Sequence, residues 1–252
     1  MAKAEFKAIV FDLFDTIVKW EPDRLPLMEL NGHQIHTTIP WGFPLLEQRL
    51  GPAFDRDRFI EVYHGVIDEI IEEREVEHIE ISCIERFVRT LKRLAPSLGN
   101  ETNAFAEQLT RVHMDGVRRV TWAPPERVLA VQKIAPHYRM GLLSNFDDTQ
   151  CGHEVFKDTG VADLFEAVII SAEVGLRKPN PQIYRRMMEM LRLDASEILF
   201  VGDTPREDVA GPQGVGMRTA WISKGAASVP EGIPQPDFTI RDLSELPAIL
   251  GI

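Results

Sequence analysis

Four polar groups that lie far apart along the chain are of types that carry out chemistry. They are Asp12, Ser144-Asn145, Lys178 and Gly202-Asp203. Carboxylates bind cations, and together with an ammonium, a hydroxyl and an amide they can hold an anionic ligand such as a phosphorylated metabolite. Taken singly, each group also has an ordinary structural interpretation as a turn, a helix cap or a surface lysine. Their positions relative to the secondary structure decide between one site and several unrelated roles.

Each group ends a short apolar run or, for Lys178, follows one. These runs are typical of buried strands and cover residues 8–11, 139–144, 167–171, 197–203 and 218–222. Predicted helices lie between them over residues 148–157, 181–193 and 205–212. Alternating strands and helices predict a parallel sheet, so the strand ends lie along one edge and the four groups converge there. This convergence favours a functional site.

The stretch from residue 18 to residue 120 has a different pattern and is predicted to be an inserted helical domain. Residues 16–52 are expected to form a structured loop region, because four prolines interrupt any long helix there: Pro22, Pro26, Pro40 and Pro44. From residue 55 to about residue 119, apolar residues recur at helical spacing and predict three amphipathic helices. We therefore expect an α/β fold whose doubly wound parallel sheet is built from residues 1–17 and 121–252.

Composition and charge disfavour several classes of partner and location. The 252 residues are 44% hydrophobic and 27% charged, which is typical of a globular protein with a packed core. A formal net charge of -11 disfavours binding to nucleic acid and to anionic membranes. We expect a cytoplasmic protein, because no secretion signal or membrane-spanning run is evident and Cys83 and Cys151 form no disulfide framework.

Four motifs resemble, in the same order, those of the haloacid dehalogenase-like hydrolase superfamily, which includes many phosphatases. The motifs are Asp12-Leu13-Phe14-Asp15-Thr16, Ser144-Asn145, Arg177-Lys178-Pro179 and Gly202-Asp203-Thr204-Pro205-Arg206-Glu207-Asp208. The resemblance covers residues 1–17 and 121–252 and implies a Rossmann-like hydrolase core. Residues 18–120 resemble the helical cap domain that one branch of the superfamily carries between its first and second motifs.

The resemblance implies a catalytic role for three residues. Asp12 is expected to be the nucleophile, which forms an aspartyl intermediate that water later hydrolyses. Ser144 and Lys178 are expected to act with it, Ser144 by hydrogen-bonding the transferred group and Lys178 by neutralising charge in the transition state. Ser144, Asn145 and Lys178 are also the expected substrate-binding residues.

The resemblance also implies a Mg2+ cofactor. Its expected ligands are the carboxylates of Asp12 and Asp203 and the backbone carbonyl of Phe14, which are the hard oxygen donors that this ion prefers. Asp208, on the following helix, is expected to position a water molecule or Lys178.

Phe14 departs from the pattern of the phosphatases that the sequence resembles. Those enzymes generally have Asp at this position, where it protonates the leaving oxygen and then activates water. Phe has no transferable proton, and loss of a well-placed acid slows such reactions by ~10²–10⁴-fold. Asp15 is not expected to replace the acid, because neighbouring side chains of an extended segment point in opposite directions.

These features favour Mg2+-dependent hydrolysis of a small phosphorylated metabolite. The first alternative is a 2-haloacid dehalogenase, because halide leaves without a proton and the resembled dehalogenases carry an aromatic Tyr at the position of Phe14. Asp203 argues against that alternative, since dehalogenation needs no metal. The second alternative is a catalytically weak member that binds a ligand or a protein, an interpretation that Phe14 favours and that Asp12 and Lys178 disfavour.

The predicted cap domain is expected to set substrate choice. Its side chains that could reach a cleft are Arg24, His33, His36, Trp41 and Tyr63, although a structural role is the favoured interpretation for each. An apolar face of the cap could also support a homodimer. Near the C-terminus, residues 237–240 are predicted to be an edge strand because Pro234 and Pro236 limit its pairing.

Overall fold

The computed structural model describes residues 6–30 and 33–252. The chain divides into two compact units. The first, here called the sheet unit, consists of the N-terminal segment that ends at Trp20 together with Trp122–Ile252. The second, here called the helical unit, is Glu21–Thr121. The chain thus enters the helical unit soon after its first strand and returns to the sheet unit for all later elements.

The described strands alternate with helices in the C-terminal part of the chain. The strands are β1 (Ala8–Phe11), β2 (Lys19–Trp20), β3 (Leu27–Leu30), β4 (His33–His36), β5 (Thr121–Trp122), β6 (Arg139–Ser144), β7 (Ala167–Ile170), β8 (Ile198–Gly202), β9 (Arg218–Ile222) and β10 (Phe238–Ile240).

The described helices are longest in the helical unit. The α-helices are α1 (Ile39–Leu50), α2 (Arg56–Glu77), α3 (Cys83–Leu94), α4 (Thr102–Arg119), α5 (Pro125–Ile134), α6 (Thr149–Asp158), α7 (Ser171–Val174), α8 (Pro181–Leu191), α9 (Gly211–Gly214) and α10 (Leu246–Leu250). Short 3-10 turns cover Pro22–Arg24, Gly51–Ala53, Pro96–Glu101, Ala162–Leu164, Ala195–Glu197 and Leu243–Glu245. None of the described helices combines the length and the hydropathy needed to cross a membrane.

A six-stranded sheet forms the centre of the sheet unit, in the order β10-β9-β8-β1-β6-β7. β1 lies between β8 and β6, with Phe11 opposite Val201 on one side and Leu142 on the other. All of these pairings are parallel, so the carboxyl ends of the strands lie on one edge. The strand order reverses at β1, which is where doubly wound sheets bind ligands. The predicted α/β fold with a Rossmann-like doubly wound sheet is confirmed.

The central strand β1 is buried along its whole length because helices cover the sheet. Val10 belongs to a core that also contains Tyr184 of α8 and Phe200 of β8. The rings of Tyr184 and Phe200 meet edge to face, with centroids 5.8 Å apart. Asp12 is the first residue beyond the end of β1, and it is itself buried.

The helical unit has an aromatic core between α1, α2 and α3. The rings of Phe43 and Phe59 have centroids 6.4 Å apart, those of Phe59 and Tyr63 5.8 Å, and those of Tyr63 and Phe87 5.4 Å. Phe59 and Tyr63 are four residues apart on α2 and so share one face of that helix. The three amphipathic helices predicted between residues 55 and 119 are confirmed as α2, α3 and α4.

The expectation that residues 16–52 lack a long helix is wrong. Helix α1 has 12 residues, with Pro40 in its first turn and Pro44 inside it. Pro40 removes a backbone N–H that has no partner within the helix, so it is well tolerated there. Pro44 removes one helical hydrogen bond, and burial of its neighbours Phe43 and Leu46 offsets that loss.

Polar and aromatic residues singled out in the predicted cap have structural partners within the helical unit. Arg24 forms an ion pair inside its own turn. His36 Nδ1 lies 2.8 Å from the carbonyl oxygen of Leu25. Trp41 packs onto Gly116 of α4 so closely that a Cβ there would lie 2.5 Å from its ring. These contacts agree with the structural interpretation.

Most of the remaining elements of the sheet unit match the predictions. β6 and β9 have the predicted bounds, and β10 lies at the edge of the sheet as expected. The helix predicted over residues 205–212 is confirmed, although its first part, Pro205–Ala210, is a π-helix that continues into the short α9.

Candidate active site

Asp12 lies at the centre of the carboxyl edge of the sheet. Its backbone N–H continues the parallel pairing of β1 by donating to the carbonyl of Val201 at 2.9 Å. The residue is only 7% exposed. Its carboxylate is therefore held on a rigid strand end, which is a suitable position for a nucleophile or a metal ligand.

Lys178 places a buried cation against Asp12. Its Nζ donates to Asp12 Oδ1 at 2.8 Å and to Asp208 Oδ1 at 2.7 Å. Lys178 is 1% exposed, and burial of an ammonium is costly unless carboxylates compensate for it. Asp12 and Lys178 are 166 positions apart in the sequence, so the fold, and not a local turn, brings them together.

Asn145 holds the backbone of Lys178. Its Nδ2 donates to the Lys178 carbonyl at 2.9 Å, and its Oδ1 accepts the Lys178 N–H at 2.7 Å. Both ends of the amide are thus bonded to one residue, which fixes the direction in which the lysine side chain leaves the backbone. These bonds give Asn145 a positioning role, and its contact with substrate stays a prediction.

Three carboxylates converge beside the lysine. One oxygen each of Asp12, Asp203 and Asp208 lies within 4.8 Å of the other two. Asp208 has both oxygens engaged, since its Oδ1 accepts from Lys178 and its Oδ2 accepts the N–H of Thr204 at 2.9 Å. Asp208 is therefore held in place by the protein, and it orients Lys178.

Gly202 leaves the space that Asp208 occupies. A Cβ at Gly202 would lie 2.3 Å from Asp208 Cγ, which is far inside contact distance. Asp208 is 1% exposed and belongs to the π-helix that follows β8. The Gly202-Asp203 pair therefore serves the site twice, because Asp203 supplies a carboxylate and Gly202 allows the close approach of another.

The cluster holds more negative than positive charge. Burial raises the pKa of Asp12, and although Lys178 lowers it, repulsion from Asp208 and Asp203 raises it further. Burial alone would lower the pKa of Lys178, but Asp12 and Asp208 raise it above its usual value and keep the ammonium charged. Burial also raises the pKa of Asp203. An additional cation would therefore stabilise the ionised cluster.

Two hydroxyls of the sheet unit are fully buried. Ser144 is the last residue of β6, and Thr16 lies four residues after Asp12. Within residues 6–30 and 33–252, neither Oγ atom has a hydrogen-bond partner. A buried hydroxyl without a partner is unfavourable and commonly marks a place for a ligand or water. Ser144 lies at the same sheet edge as Asp12, as the sequence predicts.

A model of the haloacid dehalogenase-like hydrolase family matches residues 6–216. The matched stretch contains all four motifs whose side chains meet at the sheet edge. The chain belongs to the haloacid dehalogenase-like hydrolases. The resemblance noted from the motifs is thus confirmed for the family, together with its hydrolase class.

Phosphatases are among the sequence relatives of this hydrolase. It is 30% identical to the pyrimidine 5'-nucleotidase YjjG of Escherichia coli over 156 residues, which are 61% of this chain and 68% of that enzyme. It is also 30% identical to the phosphoserine phosphatase of Thermus thermophilus over 143 residues, which are 56% of either chain. The match therefore spans little more than half the length of the second relative.

A solved structure with the same fold is the 2-haloacid dehalogenase of Pseudomonas syringae. The two share 23% sequence identity, with a TM-score of 0.71 over 98% of both chains. At this level of identity the likeness establishes the fold alone.

The hydrolase has an aromatic pair where phosphatases of the family generally have an acid. Phe14 stacks on Phe146 with ring centroids 4.8 Å apart and planes inclined by 26°. The backbone of Phe146 is fixed by Ser171, whose hydroxyl accepts its N–H at 2.8 Å and donates to its carbonyl at 3.1 Å. Neither ring can transfer a proton, so this part of the site is apolar.

Sequence analysis missed Lys224, which extends the site. Its Nζ lies 2.9 Å from Asp15 Oδ2 and 2.9 Å from Asp203 Oδ2. The available signal was its position two residues after β9, which places it at the same carboxyl edge as the four motifs. Asp15 also accepts the N–H of Trp20 at 3.4 Å, so both of its oxygens have partners.

Sequence analysis also missed Arg127 of α5, which is 4% exposed. Its Nη1 donates to the carbonyl of Asp15 at 3.0 Å, and its Nη2 lies 2.8 Å from Asp242 Oδ2. Arg127 thus fixes the loop that follows Asp12. The signal was its spacing, because it shares a helix face with the buried Val131 and Ile134.

Proposed function

We propose that this hydrolase is a Mg2+-dependent phosphatase that cleaves a small phosphorylated metabolite through an aspartyl intermediate on Asp12. The observation that carries the proposal is the buried Lys178 ammonium, bonded to Asp12 and Asp208 beside the third carboxylate of Asp203. Lys178 and Lys224 supply two ammonium groups to the four carboxylates of Asp12, Asp208, Asp203 and Asp15, and burial of unbalanced charge costs free energy unless a further cation compensates for it. The phosphatases among the sequence relatives support the same choice.

The donor set fits Mg2+. Asp12 and Asp203 would hold the ion together with the backbone carbonyl of Phe14, because carboxylate and carbonyl oxygens are its preferred ligands and few protein ligands suffice. Asp208 is engaged by Lys178 and Thr204, and it would act through the lysine. When bound, Mg2+ would withdraw charge from the phosphoryl oxygens and so favour nucleophilic attack.

In the proposed reaction a carboxylate oxygen of Asp12 bonds to phosphorus and forms an aspartyl phosphate, while the bond to the leaving oxygen breaks and the leaving group departs as its oxyanion. Water then hydrolyses this intermediate, which releases inorganic phosphate and restores Asp12. Lys178 neutralises the charge that develops on the phosphoryl group, and the free hydroxyl of Ser144 donates to one of its oxygens. Asn145 keeps Lys178 in position during both steps.

The aromatic pair restricts the leaving group. Because Phe14 cannot protonate a departing alkoxide, we expect phosphates with stable leaving groups, such as acyl or aryl phosphates, to be cleaved faster than simple alkyl esters. The same pair favours a second candidate, 2-haloacid dehalogenation, in which Asp12 displaces halide from carbon and no proton is needed. The carboxylate of Asp203 has no evident use in that reaction.

The helical unit is proposed to be the cap. It lies in the sequence between the motif of Asp12 and that of Ser144, and it forms a compact body of its own. A cap that closes over a sheet edge excludes water from the reaction, and we propose that it selects the substrate.

The test is an assay of acyl phosphate, aryl phosphate and 2-haloacid substrates, each with Mg2+ and with a chelator. We expect phosphate release that requires Mg2+ and disappears in Asp12→Asn. Asp163→Asn, which removes an exposed carboxylate of the same unit, serves as the matched control and should keep full activity. Halide release that persists with the chelator would instead establish the dehalogenase, and contradict the phosphatase proposal.

A further inference from the structure

A second lysine, Lys224, contacts carboxylates of the site other than those bonded to Lys178. Lys178 is bonded to Asp12 and Asp208, whereas Lys224 bridges Asp203 and Asp15 at 2.9 Å each. The two ammonium groups thus divide four carboxylates between them. Each of the proposed metal ligands Asp12 and Asp203 has a lysine as a direct neighbour.

The backbone at Lys224 is unusual. Lys224 has φ 50° and its partner Asp15 has φ 58°. Both lie in the left-handed region, which Asp tolerates but which a residue such as Lys rarely adopts. Such conformations cost free energy, and they cluster at functional sites where the surrounding structure holds them. Here they occur at both ends of one ion pair, in the loop after β1 and the loop after β9.

Stability alone does not account for this ion pair. The Lys224 side chain is 44% exposed and that of Asp15 is 36% exposed, and pairs of this kind contribute little to folding because water screens them. The Asp203 side chain is only 17% exposed, so the charge of Lys224 acts most strongly on this carboxylate. The main effect of Lys224 is therefore on the electrostatics of the acidic cluster.

We propose that Lys224 is a built-in counter-ion that limits the affinity of the Asp12–Asp203 site for Mg2+. Its ammonium bonds to Asp203 and repels any cation that the same carboxylate binds. The ion is then held weakly by the protein alone, and a phosphorylated substrate, which brings its own negative charge, strengthens its binding. This inference rests on the proposed function, because it assumes that the acidic cluster takes up Mg2+.

The test is a calorimetric titration of the full chain with MgCl2 in the absence of substrate. A unit charge within a few ångströms of a divalent ion weakens its binding by about tenfold even at the dielectric constant of water, so Lys224→Met should bind Mg2+ about tenfold more tightly. Lys224→Arg keeps the charge and should stay within about twofold of the natural chain. In thermal unfolding, MgCl2 should therefore stabilise Lys224→Met more than it stabilises the natural chain or Lys224→Arg.

Two further variants separate a local effect from net charge. Lys133→Met removes an exposed lysine of α5, so it changes net charge equally and should leave Mg2+ affinity unchanged. Asp15→Asn keeps a residue that tolerates the left-handed backbone but releases Lys224 from its second carboxylate. Its Mg2+ affinity should fall about threefold, the opposite sign to Lys224→Met.

The outcomes distinguish this inference from the proposed function. Equal Mg2+ binding by the natural chain and Lys224→Met would overturn the inference and leave the phosphatase proposal intact. Binding by Lys224→Met alone would support the inference, because the natural chain is expected to hold the ion weakly until substrate is present. If neither chain binds Mg2+ at millimolar concentrations, the inference fails, and the chelator assay of phosphate release then decides the proposed function independently.

Discussion

Two charge clusters, one in each unit, differ in how far water reaches them. In the helical unit, Arg89 of α3 lies between Glu73 and Glu85, and one cation is shared by two partly exposed carboxylates in a network across α2 and α3. In the sheet unit, Lys178 and Asp208 are both 1% exposed. The first arrangement lies where water can solvate any charge that is left unpaired. The cluster around Lys178 is buried, and it contains more carboxylates than ammonium groups.

The difference indicates which unit does the chemistry. A protein gains little stability from a buried cluster with an uncompensated charge, because desolvation of each ion offsets the attraction within a pair. Such a cluster persists where another component, here the proposed Mg2+ and the substrate, completes the charge balance. The surface network of the helical unit needs no such component.

Removal of the buried cation should have the largest effect. Lys178→Met leaves Asp12 and Asp208 side by side without their shared donor, so turnover should fall by about 10³-fold and the free energy of unfolding by about 3–5 kcal/mol. Substrate turnover and urea unfolding measure the two quantities. Activity within tenfold of the natural chain would contradict the proposed role of Lys178 in charge neutralisation.

A matched pair of glycine substitutions, one in each unit, should change the free energy of unfolding in opposite directions. Gly202→Ala places a methyl group 2.3 Å from Asp208 Cγ, so it should displace Asp208, lower turnover by about 10²-fold and destabilise the chain by about 1–3 kcal/mol. Gly65→Ala lies inside α2 with no atom within 4 Å of the new Cβ, and it should stabilise the chain by about 0.5–1 kcal/mol. Thermal unfolding and turnover of both variants provide the comparison. Destabilisation by both would mean that helix propensity does not govern position 65.

The sequence was sufficient to predict the parts of the site that follow from strand ends. Asp12, Ser144 and Asp203 each end an apolar run, and parallel strands bring their carboxyl ends together whatever the loops do. The lysine of the third motif required the family resemblance, because Lys178 follows a turn and no periodicity places its side chain.

The parts that escaped prediction depend on loop geometry. Lys224 contacts Asp203 from a loop in which its own backbone is left-handed, a conformation that no local pattern of charges indicates. Helix α1 was missed because prolines were weighted as helix breakers, although Pro40 stands at a position where proline is favourable. Both the position of Lys224 and the formation of α1 depend on contacts between residues far apart in the sequence.

Restoring an acid at the aromatic pair should have a smaller, positive effect. Phe14→Asp introduces a carboxyl group where family phosphatases generally have one, so turnover of alkyl phosphate esters should rise by about tenfold. The increase should be much smaller for acyl phosphates, which need little protonation of the leaving group. Phe14→Asn is the control, because it breaks the stack with Phe146 equally but cannot transfer a proton. An equal rise in Phe14→Asn would assign the gain to loss of the aromatic ring.

The smallest effect is expected in the network of the helical unit. Arg89→Met removes a side chain that is 24% exposed and paired with Glu73 and Glu85, and exposed or half-exposed pairs contribute at most about 1 kcal/mol. The loss should shrink as salt is added, since salt already screens the network in the natural chain. Turnover should stay unchanged at every salt concentration. A fall in turnover without a matching loss of stability would show that these surface charges act on the reaction, and the division of labour between the two units would not hold.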